Sequence, residues 1–173
     1  MANTLLNAKI DYSKRGAFDE LYTPDIAIQM IIPYIPKHIK TVWECTAHEE
    51  SKIVNILRNC GYEVISTHIK DGYNFFNYVP KHFDMIITNP PYSLKDDFLA
   101  RGFQLGKPFM FLLPLTTLEG SKRSKMFREN KIQLIIPDKR FNFKPEKNSG
   151  AWFQTSWFTY GLNLEKDLNF ISL

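Results

Sequence analysis

Short, dense apolar runs alternate along this chain with stretches whose apolar residues recur every three or four positions. The runs at 41–46, 63–68, 83–88, 108–114 and 132–136 have strand length and are rich in β-branched and aromatic residues. A last run, 151–160, is dominated by aromatics. Helices are expected between them. Tyr22-Thr23-Pro24-Asp25 reads as a helix start, with Thr23 as N-cap, Pro24 at the first helical position and Asp25 at the positive end of the helix dipole. Ile26, Met30 and Ile31 would form its apolar stripe, and Pro33 and Pro36 would end it. Glu49-Glu50-Ser51 opens a second helix with Ile53, Val54 and Leu57 on one face and Gly61 as its stop. Further helices are expected over roughly 94–105 and 121–129. Near-continuous apolar strands alternating with helices predict an α/β domain of the doubly wound kind, its mostly parallel sheet covered on both faces. The last two strands have no helix between them, which predicts an antiparallel edge strand. The first 20 residues carry no clean periodicity and read as a polar arm ahead of one domain at 21–173.

Composition narrows the class without naming a function. The chain has 173 residues, 44% of them hydrophobic and 23% charged, which is ordinary for a globular protein and leaves room for one core. Two cysteines, Cys45 and Cys60, match no metal or redox spacing, so a reducing, cytoplasmic setting is the default. The four histidines, His38, His48, His68 and His82, are scattered without ligand spacing, and no metal is expected. No run approaches the ~18 apolar residues of a membrane span, and no signal peptide is evident. The formal charge of +4 is unevenly placed. Residues 119–147 hold nine basic residues, Lys122, Arg123, Lys139 and Arg140 among them, against four acids. Such a segment suits a phosphate-bearing partner, and equally well a solvated helix and loop.

One motif carries chemistry. Asn89-Pro90-Pro91-Tyr92 follows the run Met85-Ile-Ile-Thr88, at the carboxyl end of a strand, where open α/β sheets bind ligands. The amide oxygen of Asn89 accepts hydrogen bonds. The two prolines have no N–H, so the backbone there presents carbonyls only, and Pro90 holds Asn89 extended. Converging acceptors of this kind would hold a planar amino group and raise the electron density on its nitrogen, and Tyr92 offers a flat face for a base.

Asn-Pro-Pro-Tyr after an apolar strand resembles the amine-binding motif of the S-adenosylmethionine-dependent amino-methyltransferases, and the chain looks closest to small phage and prophage DNA adenine-N6 methyltransferase-like proteins. The resemblance spans roughly 22–162 and implies a single Rossmann-like methyltransferase domain without a separate target-recognition domain. It places Tyr22, Thr23 and Pro24 at the cofactor's methionine end, Glu44 as the acid of the first cofactor strand, and Asn74 and Phe75 at the cofactor's adenine. It also places Trp152 or Phe153 where a late aromatic packs on a flipped base, although these residues are as readily core. Asn89, Pro90, Pro91 and Tyr92 would be catalytic, and Lys122, Arg123, Lys139 and Arg140 would meet phosphates.

Two departures from the family pattern bear on the cofactor. Thr46-Ala47-His48-Glu49-Glu50-Ser51 stands where the family has a glycine-rich turn, and His68 stands where an acid grips the ribose. The expected function is methyl transfer to adenine N6 in DNA, with specificity supplied by loops or a partner subunit. The alternatives are a methyltransferase-fold module that binds nucleic acid or a host protein without catalysis, and an enzyme acting on RNA or a protein glutamine.

Overall fold

Alternate residues of the central strands serve two different hydrophobic cores, and that division organises the molecule. The structure, a computed structural model, describes residues 23–47, 51–143 and 153–173. Its elements are, in order, α1 (Asp25–Gln29), β1 (Thr41–Glu44), α2 (Lys52–Asn59), β2 (Glu63–Ser66), β3 (Met85–Thr88), α3 (Lys95–Leu105), β4 (Phe109–Pro114), α4 (Ser121–Glu129), β5 (Ile132–Pro137), β6 (Thr155–Tyr160) and β7 (Leu168–Ile171). On one face Val42, Met85, Ile87, Met110, Leu112, Ile135 and Trp157 pack against α1 and α2. On the other, Trp43, Ile86, Phe109, Phe111, Leu113, Leu134 and Phe158 pack against α3 and the apolar side of α4. Both faces being covered, each central strand reads as a continuous apolar run.

Seven strands form one sheet among the described residues, in the order β2-β1-β3-β4-β6-β5-β7. The first four are mutually parallel, with Trp43 opposite both Ile65 and Ile86, and Ile86 opposite Phe109. β6 runs antiparallel to β4 and to β5, as expected for strands joined without a helix. The sequence pattern had not announced β7, which adds beyond β5 in parallel, so β6 lies between β4 and β5. β7 is short and half exposed, with Phe170 75% accessible, which is why its pattern carries no core signal.

The helices follow their expected spans with one correction. Ser51 caps α2 by accepting from Val54 N at 3.2 Å, and Gly61 takes φ +90° just beyond its end, a conformation that favours glycine. In α3, a Cβ on Gly102 would stand 3.0 Å from the rings of Phe109 and Phe111, so this helix lies unusually close to β4. Thr23 does not cap α1: Pro24 occupies that position, no side chain caps the helix, and the Thr23 hydroxyl is engaged elsewhere. The buried stripe of this region is Ala27, Ile28, Met30 and Ile31, while Ile26 is exposed. Residues 1–20, with the expected arm, and Glu49-Glu50 lie outside the described residues. No helix among those described is long and apolar enough to cross a membrane.

With only five residues, α1 relies on its anchor. The indole Nε1 of the fully buried Trp157 donates to Ala27 O at 2.8 Å. Replacing Trp157 by Phe removes that donor and leaves a buried carbonyl unsatisfied. We expect the Trp157→Phe protein to lose about 2–3 kcal/mol of stability, measured as a shift in the urea midpoint at unchanged m-value.

Candidate functional site

The carboxyl ends of β1, β2 and β3 finish on short polar side chains, and these knit the strand ends together. Glu44 closes β1 and is fully buried. Its Oε1 accepts from Thr46 N at 2.9 Å, from the Thr46 hydroxyl at 3.1 Å and from the Thr88 hydroxyl at 2.5 Å. The hydroxyls of Thr46 and Thr88 are themselves 2.6 Å apart, and Thr46 Oγ1 also reaches the main-chain oxygen of Asn89 at 3.3 Å. The other carboxyl oxygen, Glu44 Oε2, is buried and has no hydrogen-bond partner among the described residues. At the end of β2, Thr67 accepts from Trp43 Nε1 at 2.8 Å and Ser66 donates to Ala47 O at 2.6 Å.

Asn89 is the first residue beyond β3 and is held by this network. Its side-chain Nδ2 donates to Thr23 Oγ1 at 3.1 Å. Pro90 and Pro91 are buried, and the next three residues form a 3-10 turn closed by Leu94 N donating to Pro91 O. Tyr92 meets Phe153 edge-to-face, with ring centroids 5.8 Å apart. The motif, Thr23 and Phe153 are thus brought together. Trp152 and Tyr22 lie outside the described residues.

The expected cofactor residues divide. His68 is buried at the end of β2, and its Nδ1 accepts from Lys70 N at 3.2 Å. Asn74 Oδ1 accepts from Phe76 N at 3.0 Å, so this amide stabilises its own turn rather than standing ready for an adenine. Phe75 is core: it stacks on Phe98 at 4.7 Å and tilts against Trp43 at 5.3 Å. Cys45, Thr46, His68, Ile69, Tyr73, Phe75, Pro91 and Phe98 enclose a cavity of about 10 Å³, room for one water.

Several cations among the described residues of the basic segment have partners within the fold. Arg123 pairs with Asp96 at 2.8 Å and donates to Thr117 O at 2.7 Å, which makes it a tie between α4 and α3. Lys122 lies 3.7 Å from Asp97, Lys125 lies 3.8 Å from Glu129, and Lys139 donates to Leu173 O at 2.9 Å. Arg140 is exposed. No group of His, Cys, Asp or Glu fit to hold a metal occurs among the described residues.

The chain's overall fold matches that of known structures. A Listeria monocytogenes protein assigned to the class I S-adenosylmethionine-dependent methyltransferases aligns over 91% of this chain and 67% of its own, with a TM-score of 0.58 at 13% identity. The fold is that of a class I methyltransferase. A predicted O-methyltransferase from Agrobacterium tumefaciens covers 87% of this chain and 86% of its own at a TM-score of 0.47 and 9% identity. No protein-family model matches the sequence, and no curated protein matches it.

S-adenosylmethionine is the cofactor that a methyltransferase fold implies. Thr46 and His68 line the cavity at these strand ends and offer polar groups to such a cofactor, while Glu44, whose Oε2 is buried and without a hydrogen-bond partner among the described residues, is not part of that lining. Sequence reasoning passed over Thr46 and Thr88. The signal for them was a threonine at the end of each apolar run, beside Glu44 in one case and Asn89 in the other.

Burial pushes the Glu44 carboxyl from its ordinary 4.5 up to about 7, against the opposing pull of Thr88 and Thr46. The folded protein therefore holds this proton more tightly than the unfolded chain. The stability this contributes is complete below about pH 4.5 and is lost as pH rises to about 7. Glutamine keeps an acceptor for the same three donors and carries no charge. We expect Glu44→Gln to match the parent near pH 5 and to be the more stable protein at pH 8, by on the order of 3 kcal/mol at most. Urea unfolding from pH 5 to 8 checks this; parallel profiles for the two proteins would refute it.

Proposed function

We propose that this chain transfers a methyl group from S-adenosylmethionine to an exocyclic amine, and that the amine is N6 of adenine in DNA. The observation that carries the reading is Asn89-Pro90-Pro91-Tyr92 at the carboxyl end of a central strand of a methyltransferase fold, with the Asn89 amide held by Thr23 and Tyr92 set against Phe153. When bound, the cofactor supplies an electrophilic methyl group. Thr46 and His68 would meet its polar end, with Glu44 behind Thr46. The chain's own part is positioning: the Asn89 amide and the Pro90 carbonyl orient the amine, and the Tyr92–Phe153 corner receives the ring. A base in duplex DNA must leave the stack to reach this corner. Lys122, Lys139 and Arg140 are candidates to meet phosphate, so affinity should fall with salt.

The narrow cavity favours a second reading, a methyltransferase-fold module that binds nucleic acid or a host protein without catalysis. Calorimetric titration with S-adenosylmethionine, followed by labelled-methyl transfer to unmethylated DNA, separates the two. We expect binding and transfer, with Asn89→Ala lowering kcat about 100-fold or more. No binding at millimolar cofactor would support the module instead. Binding without transfer to DNA would move the amine to RNA or to a protein glutamine.

A further inference from the structure

We propose that a cleft at the amino end of the sheet, away from the Asn89 turn, binds a small organic phosphate. This holds whether or not the chain transfers methyl groups. β4 and β5 begin, and β6 ends, along one row in which Phe109, Tyr160 and Ile132 stand side by side. Because β4 is parallel to β3, this row lies at the end of the sheet opposite the one where Asn89 leaves β3. Just past the row, Gly106 and Pro108 before β4, Lys131 before β5, and Gly161 and Asn163 after β6 line a cleft of about 320 Å³. That volume falls within the ~300–1,000 Å³ of small-molecule sites.

The lining sets the sign of the ligand. Lys131 supplies the one charge, and no carboxylate lines the cleft among the described residues. Asp167, on the same loop as Asn163, is taken by Gln133 Nε2 at 3.1 Å. The Lys131 ammonium, the Tyr160 hydroxyl and the Asn163 amide all border the cleft, and none has a hydrogen-bond or ionic partner among the described residues. With a cation fixing the sign, the hydroxyl and the amide can each turn a donor to an anion's oxygens. A phosphate monoester offers three such oxygens, one for each group, where a carboxylate offers two. Gly106, Pro108 and Gly161 bring no polar side chain, which leaves space for an uncharged body on the phosphate. Packing holds the walls. The Tyr160 ring stacks on Phe109 at 5.5 Å and meets Phe103 edge-on at 5.3 Å. Gln133 pins the loop that carries Asn163, its Nε2 donating to Leu164 O at 2.9 Å and its Oε1 accepting from Leu164 N at 2.8 Å. A Cβ on Gly161 would stand 3.3 Å from Pro108 Cα, so the loop lies close against the start of β4.

The test titrates the full chain with glucose 6-phosphate, gluconate, glucose and inorganic phosphate, following the backbone amide NMR signals of Gly106, Lys131, Gly161 and Asn163. Glucose 6-phosphate should move these signals to saturation by about 10 mM, gluconate and inorganic phosphate should bind about tenfold more weakly, and glucose should leave them in place. Lys131→Met should weaken the glucose 6-phosphate Kd about tenfold, and Tyr160→Phe about threefold. Lys131 is exposed, and phenylalanine keeps the Tyr160 ring contacts, so both variants should fold. Lys37→Met removes the same charge from an exposed position outside the cleft and should leave the Kd within about twofold. No saturable shift with glucose 6-phosphate would overturn the proposal. Equal binding of gluconate or of inorganic phosphate would overturn it too, since the phosphate or the body attached to it would then count for nothing. An equal loss in Lys37→Met would reduce the effect to general charge attraction and overturn the site.

Discussion

One buried carboxyl oxygen, Glu44 Oε1, gathers the ends of two strands. It accepts from Thr46 on the segment leaving β1 and from Thr88 at the end of β3, and through Thr46 it is linked to the main chain of Asn89. The strands themselves are paired over only two positions between β1 and β3. The side-chain network therefore does at this end of the sheet what the backbone ladder does lower down. It sets where the chain leaves β3, and hence where the Asn-Pro-Pro-Tyr turn begins.

The network is a compromise between two opposed effects. Burying a carboxyl away from water favours its neutral form, while three donors on one oxygen favour the anion. Burial prevails, since the group holds its proton to about pH 7 rather than releasing it below 4.5. The bare second oxygen explains why: the donors all converge on Oε1, and nothing among the described residues stabilises charge on Oε2. A carboxyl held in this condition lowers the stability of the folded protein at neutral pH.

The fold was legible because its signals are local and repeated. Five apolar runs and the helices between them appear near their expected spans, and Ser51 and Gly61 cap α2 as their chemistry requires. β7 was not legible, because an edge strand with Leu168 and Phe170 exposed lacks the burial pattern that marks the others. Within the site, Asn89 to Tyr92 stood out through an unusual residue string, and Phe153 lies against Tyr92. The contacts of Asn74 and Arg123 were not legible, for a common reason. A residue type states what a side chain can bond, not what lies nearest, and both spend their polar atoms on partners within the fold: Phe76 N for one, Asp96 and Thr117 O for the other.

Charge shows the same gap between chain and surface. Nine basic residues in one segment form a strong cluster along the sequence, but α3 brings Asp96 and Asp97 against α4, and Glu129 lies one turn from Lys125. Among the described residues these pairings offset part of the segment's positive charge. Exposed charges farther apart than the Debye length, ~8 Å at physiological salt, are largely screened from each other. On the methyl-transfer reading, recognition would fall mainly on short-range groups, the Asn89 amide, the Pro90 carbonyl and the Tyr92–Phe153 corner, which discriminate by hydrogen-bonding sense and by flatness.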